Sequence, residues 1–257
     1  MKKQFFLAAL LVLVQSRAFA IDEKKIVDMT YPFSEQTQHW PTAQPFKLDK
    51  QTEGMTPEGH WYAAYNYSSA EHVGTHMDAP FHFAQGKWTV DQVPLAKIIG
   101  PGVIVDVRGK AQANADYRLD VVDLHTWEKR HGKIPPGAIV LMYSGWGKFW
   151  SDRKKYMGSD LEGDVMNLRF PGFSKDAAEF LVKERKINAA GTDTASIDHG
   201  ASRDFIVHQV FGRSNVPIFE NVAGLDRLPA KGATIFALPM KIQGGTGAPL
   251  RIFALLP

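Results

Sequence analysis

The sequence predicts an α/β fold, a single domain with helices packed on a sheet, and three observations lead there. Short aliphatic or β-branched runs of strand length recur at residues 103–107, 138–143, 187–190, 234–238 and 251–256. Helical patterns fall between the middle runs, the alternation that lays helices on a sheet. From Ile26 onward only Gly and Pro punctuation separates these segments, with no repeat, low-complexity tract or linker, so one domain accounts for residues 21–257.

At the start, Lys2 and Lys3 precede a ten-residue apolar run, Phe5 to Val14, and Ala18-Phe19-Ala20 precedes the polar Asp22-Glu23-Lys24-Lys25. This three-part pattern is that of a secretory signal peptide, residues 1–20, cleaved after Ala20. Ten helical residues reach about 15 Å, half of a bilayer core of about 30 Å, which argues against a membrane anchor. In a Gram-negative cell the mature chain is then periplasmic, away from NAD, ATP and coenzyme A. Of 30 Lys and Arg against 27 Asp and Glu, the surplus three, Lys2, Lys3 and Arg17, all fall in this leader. The balanced remainder gives no electrostatic case for nucleic acid or, after cleavage, for a membrane.

Further along, residues 120–130 read as a helix ended by Gly132 and followed by Pro135. Residues 174–186 read as another, with Ser174 as its N-cap and Ala177, Ala178, Leu181 and Val182 as its apolar stripe. At 44% hydrophobic and 22% charged the chain is globular in composition. It has no cysteine, which removes thiolate nucleophiles, Cys-ligated metals and disulfides. Any metal must be held by His, Asp or Glu.

The densest chemistry is His72-Val73-Gly74-Thr75-His76-Met77-Asp78-Ala79-Pro80-Phe81-His82-Phe83. In a straight strand His72 and His76 would stand about 13 Å apart, too far for one ion bound at about 2.1 Å, so the spacing predicts a turn at Gly74-Thr75. Beyond it His76 and Asp78 share a face of an extended segment, with Pro80 opposing helix. His72, His76 and Asp78 converge on one ion, with His82 nearby to move protons. Two imidazoles and a carboxylate without sulfur suit Zn²⁺ or Mn²⁺, either of which lowers the pKa of water from 15.7 towards about 7. By spacing alone His208 and Glu220 are unremarkable, and His39, His60, His125, His131 and His199 show no ligand spacing.

These residues resemble the H-x-G-T-H-x-D-x-P-x-H-F signature of the metal-dependent cyclase family, which includes bacterial kynurenine formamidases and isatin hydrolases. The similarity extends to Ile26-Val27-Asp28-Met29-Thr30, His39-Trp40-Pro41, Gly86 to Asp91, Gly191 to Asp198, Glu220-Asn221-Val222 with Leu225 to Pro229, and Lys241 to Pro249. The resemblance implies a compact swivelling β/β/α domain, commonly a homodimer whose partner contributes to the pocket. It implies that His72, His76 and Asp78 bind the first metal and that His82 is the catalytic base or proton shuttle. It further implies that Asp78 bridges to a second ion held by His208 and Glu220 in formamidase-like members, leaving one or two ions per subunit open.

Both activities hydrolyse an amide beside an aromatic ring. Export and the stretch Gly145 to Trp150 resemble the longer, isatin hydrolase-like members, so the expected reaction opens the lactam of isatin to isatinate. The alternative is hydrolysis of N-formylkynurenine to kynurenine and formate. Trp40, Trp146, Phe149 and Trp150 are expected to line a flat apolar slot for the substrate. Gly244-Gly245-Thr246-Gly247 is expected to offer backbone N–H groups to an oxyanion. A non-enzymatic periplasmic metal-binding protein would use the same cluster without needing the slot. A serine hydrolase is disfavoured, since Ser144-Gly145 lacks the preceding glycine of a nucleophile elbow.

Overall fold

The computed structural model describes residues 22–257, so the expected leader, residues 1–20, lies outside the described residues. Among the described residues twelve strands are present: β1 (Ile26–Asp28), β2 (Lys47–Met55), β3 (Trp61–Ser68), β4 (His76–Asp78), β5 (Ile99–Asp106), β6 (Arg118–Leu119), β7 (Ile139–Tyr143), β8 (Gly172–Phe173), β9 (Ala189–Thr192), β10 (Ile218–Glu220), β11 (Lys231–Pro239) and β12 (Gly247–Leu255). The α-helices are α1 (Leu95–Ile98), α2 (Arg108–Ala113), α3 (Val121–His131), α4 (Arg153–Met157), α5 (Lys175–Phe180) and α6 (Ile206–Arg213).

Eight strands form one sheet in the order β1-β12-β11-β5-β7-β9-β10-β4. β4 pairs with β10 on one side and β12 on the other, which rolls the sheet closed like a barrel. Within this sheet β5, β7, β9 and β10 run parallel and the other pairs are antiparallel. Alternation divides the apolar residues between two cores. Ile104, Ile139 and Leu141 join Met77, Phe219, Ile235 and Ile252 inside the rolled sheet. Val103, Val105, Val140 and Met142 face outward against Leu124 and Trp127 of α3, Ala177 and Ala178 of α5, and Val207 and Phe211 of α6. The result is the mixed α/β arrangement expected, with the parallel strands buried on both faces.

The five strand runs read from sequence correspond to β5, β7, β9, β11 and β12. The helix at 120–130 is α3, capped by Asp120, whose side chain accepts from Val122 N, and closed by Gly132 at φ 87°. Ser174 caps α5 by accepting from Ala177 N. After Phe180 that helix widens into a π-helical segment, Leu181–Arg185, and ends at Lys186 in the left-handed conformation, φ 51°. The β2–β3 hairpin was not read from sequence, because its aromatic residues face no core of their own chain.

Candidate metal centre

β4 places the heart of the cluster by alternation. His76 and Asp78 point one way and Met77 the other, into the inner core. Glu220 of β10 pairs in register with His76, so its side chain lies on the same face. The preceding turn needs Gly74: its φ is 60°, and a Cβ there would lie 2.8 Å from Phe33 and Thr37. That turn brings His72 back until its Nδ1 is 2.6 Å from Asp78 Oδ1. Gly247, in register with Asp78, leaves room for the His72 ring, which any Cβ at that position would overlap.

Each imidazole has its inward nitrogen assigned by what the other nitrogen meets. His76 Nδ1–H donates to the Gly74 carbonyl at 2.9 Å, which turns Nε2 inward, 3.1 Å from Asp78 Oδ1 and 3.4 Å from Glu220 Oε2. His208 Nδ1–H donates to Asp198 at 2.7 Å, which points Nε2 at Asp78 Oδ2, 3.1 Å away, and Glu220 Oε1, 3.2 Å away. Thr246 Oγ1 donates to Glu71 at 2.5 Å and accepts from His72 Nε2–H at 3.0 Å, leaving His72 Nδ1 inward. Asp198 also accepts from the backbone N–H groups of Val207 and His208, so one carboxylate caps α6 and orients its histidine.

This cluster demands positive charge. Burial works against protonating His76, but the close Asp78 carboxylate, with Glu220 adding, lifts its pKa to about 9. Burial likewise opposes charge on His208, and Asp198, Asp78 and Glu220 hold its pKa well above the ordinary value. For Asp78 burial pushes upward, but the three imidazoles outweigh it and hold the carboxyl well below its usual range. The donor set fits a divalent cation. His76 Nε2 is buried without a hydrogen-bond partner. His76, Asp78 and Glu220 offer atoms within 4.8 Å of one another, as do His72, Asp78 and His82.

His82 stacks on His72 with ring centroids 3.9 Å apart. Desolvation between neighbouring rings pushes its pKa down to about 4, with Asp78 opposing and the adjacent imidazoles of His72, His208 and His76 adding to the fall. It stands neutral at the mouth. Above the cluster opens a cavity of about 290 Å³, walled on its apolar side by Trp40, Ala43, Phe83, Ala195 and Phe205 and carrying His72, His76, Asp78, His82, His208 and Glu220 at its polar end.

The family described as "Putative cyclase" matches residues 27–199. The chain belongs to the cyclase family. It is 34% identical to isatin hydrolase from Roseibium aggregatum over 73% of this chain and 72% of that protein. It is 26% identical to kynurenine formamidase from Bacillus thuringiensis, strain Al Hakam, over 88% of this chain and 94% of that protein. Among solved structures, isatin hydrolase A from Ralstonia solanacearum superposes with a TM-score of 0.81 at 32% identity, covering 90% of this chain and 92% of that one.

Within this cyclase-family fold the five expected ligands, His72, His76, Asp78, His208 and Glu220, come together, though they group differently from the expectation. His76 faces Asp78 with Glu220, and His72 faces Asp78 with His82. Of the four aromatics expected to line the slot, Trp40 borders the cavity. Trp146, Phe149 and Trp150 do not. Trp146 is buried and donates Nε1–H to the Tyr156 carbonyl, Phe149 meets it edge-on, and Trp150 lies flat on Tyr31 at 3.8 Å. They close a satellite core around Tyr156, Leu168 and Phe170, against which Trp40 and Ala195 of the cavity wall pack, so they back the wall rather than line it. The glycine-rich turn is also occupied: the N–H groups of Gly244, Gly245 and Thr246 donate to Asp91, Ile242 and Glu71. Sequence reading missed Asp198, Glu71 and Thr246 as orienting groups. The triplet Ser196-Ile197-Asp198 carried a signal, whereas Glu71 and Thr246 become meaningful only once they meet, 175 residues apart in the chain.

Proposed function

We propose that this chain is a metal-dependent amide hydrolase that opens the lactam ring of isatin to isatinate. The observation that carries this reading is the convergence of three tautomer-fixed imidazoles and two carboxylates at the polar end of an apolar cavity. The 34% identity to an isatin hydrolase supports the choice of substrate.

His72, His76 and Asp78, with His208 and Glu220, would hold one or two ions, Mn²⁺ or Zn²⁺. Such an ion polarises an amide carbonyl and lowers the pKa of water from 15.7 towards about 7. Trp40, Phe83 and Phe205 receive the aromatic ring and exclude water beside it. His82, neutral and stacked on His72, would take the proton that the attacking water gives up as it bonds to the carbonyl carbon and pass it to the amide nitrogen as the C–N bond breaks. The alternative, hydrolysis of N-formylkynurenine, is favoured by the Bacillus thuringiensis formamidase, which this chain matches over 94% of its length. Residues 21–257, assayed on isatin and N-formylkynurenine with Mn²⁺ or Zn²⁺ and then with a chelator, are expected to open isatin in a metal-dependent way with little action on the formamide. The reverse preference would assign the chain to the formamidase activity, and chelator-resistant turnover would overturn the metal mechanism.

The working form is further proposed to be an exported, periplasmic homodimer or higher homo-oligomer. Export rests on the leader pattern of residues 1–20. Assembly is supported by β2 and β3, a two-stranded ribbon that exposes Leu48, Met55, Trp61, Tyr62, Tyr65 and Tyr67. Such a ribbon needs a third surface to be stable, and exposed apolar patches of this kind mark partner contacts. A second copy is the proposed occupant. Trp61→Glu is expected to yield a monomer by light scattering where the wild type gives an oligomer.

A further inference from the structure

Five buried side-chain polar atoms among the described residues lack a hydrogen-bond partner, and three of them, His76 Nε2, His39 Nε2 and Ser196 Oγ, belong to residues lining the one cavity above the cluster. A cation accounts for His76. Buried donors and acceptors are rarely left unpaired, and two more such atoms on residues of the same wall offer hydrogen bonds to a polar group that enters the cavity.

Both atoms are rigidly presented. His39 Nδ1 lies 3.2 Å from the Thr37 carbonyl, which can only accept, so Nδ1 carries the hydrogen and Nε2 presents a lone pair. The main chain of His39 bridges Val73 beside the metal loop, its carbonyl accepts from Arg153 Nη1, and the Gly74 N–H donates to the Gln38 carbonyl. Ser196 is 3% exposed. Its carbonyl accepts from Thr194 Oγ1 at 2.9 Å, and the next backbone N–H, of Ile197, donates to Glu220 Oε1 at 2.8 Å. The hydroxyl is thus fixed next to a metal-facing carboxylate, free to donate. An acceptor and a donor on two residues that line the one cavity complement a secondary amide, which offers an N–H and a carbonyl oxygen.

We infer that His39 and Ser196 are the polar recognition pair for substrate: His39 Nε2 accepts the amide N–H, and Ser196 Oγ–H donates to a carbonyl oxygen. The substrate class is then aryl amides with a free N–H, cyclic or linear, and N-alkylated amides are rejected. The inference rests on the amide hydrolase reading, and both isatin and N-formylkynurenine belong to the class.

The test compares kcat/KM for isatin and N-methylisatin in wild type, His39→Phe and Ser196→Ala, with metal affinity measured in each. Phenylalanine keeps the ring and its bulk while removing the lone pair, so steric exclusion of the methyl group would survive it. The expected result is a wild-type preference for isatin of about tenfold or more that His39→Phe abolishes through loss of isatin turnover. Ser196→Ala is expected to lose about tenfold on both substrates, and both variants are expected to bind metal as wild type does. A preference retained in His39→Phe, or wild-type kcat/KM in Ser196→Ala, overturns the assignment. If wild type turns over neither isatin nor N-formylkynurenine, the hydrolase reading fails separately. The pair is then read by calorimetric binding: a wild-type preference for isatin over N-methylisatin that His39→Phe abolishes supports it, and equal binding overturns it.

Discussion

His82 stacks on one imidazole of the cluster and Asp198 hydrogen-bonds another, and variants of the two are expected to fail in opposite ways. His82 stacks on His72 with its pKa pushed down to about 4, and its proposed part is to move protons rather than to hold the ion. His82→Ala is expected to keep most of the bound metal and to lower kcat by about 10²–10⁴-fold, the usual worth of a general acid–base group. Asp198 orients His208 through Nδ1. Asp198→Asn keeps an oxygen to cap α6 but weakens that orientation, and metal affinity is expected to fall about 10–100-fold, by competition with a chelating dye. Equal metal loss in the two variants would contradict this division. His72, His76 and Asp78 were legible from spacing, because a turn and a two-residue step are local geometry. Glu220 was not, since only its register opposite His76 distinguishes it from any strand-end glutamate. Trp146, Phe149 and Trp150 were misread because composition does not say which way a turn leads its aromatics.

At the scale of elements, the π-helical end of the α5 segment is fastened to α3 by one ion pair. Arg185 Nε and Nη2 donate to Glu128 at 2.6 and 2.9 Å, and both side chains are largely buried. The guanidinium hydrogen bonds lower the Glu128 pKa from 4.5 to about 2. A carboxylate held below its unfolded value contributes stability that is fully present above about pH 4.5 and is lost as pH falls through the range down to about 2. The contribution is on the order of 1–2 kcal/mol after discounting for solvent screening. Urea unfolding of wild type and Glu128→Gln is expected to differ by that amount at pH 6 and to narrow progressively as pH falls towards about 2, whereas a constant difference would place the pair's role elsewhere. The caps of α3 and α5 were readable because Asp120, Ser174 and Gly132 act on their own neighbours. The switch to π-helix after Phe180 was not, since it is a wider hydrogen-bond step with the same apolar stripe. The β2–β3 ribbon escaped because a pattern that faces no core of its own chain has no inside to reveal it.

For the whole molecule, closure of the sheet is what makes the cluster possible, and it is invisible to local reading. β4 joins β12 on one side and β10 on the other, and His208 meets Asp78 across 130 residues of chain. The unfolded chain offers His72, His76 and Asp78 close together but keeps His208 and Glu220 far away. An ion therefore binds the folded state in strong preference to the unfolded one, and its binding free energy stabilises the entire closed sheet. At about one hundred times its dissociation constant it adds about 2.7 kcal/mol. For a domain of this size that corresponds to a Tm rise of roughly 5–10 °C. Calorimetry of residues 21–257 is expected to show this rise on adding Mn²⁺ or Zn²⁺ and its reversal with a chelator. Glu220→Gln is expected to shrink the rise, because it removes a donor from the far side of the closure. A Tm indifferent to both metal and chelator would mean that the five side chains hold the sheet together through their own hydrogen bonds, with protons on His76 and His208 supplying the positive charge that the carboxylates require.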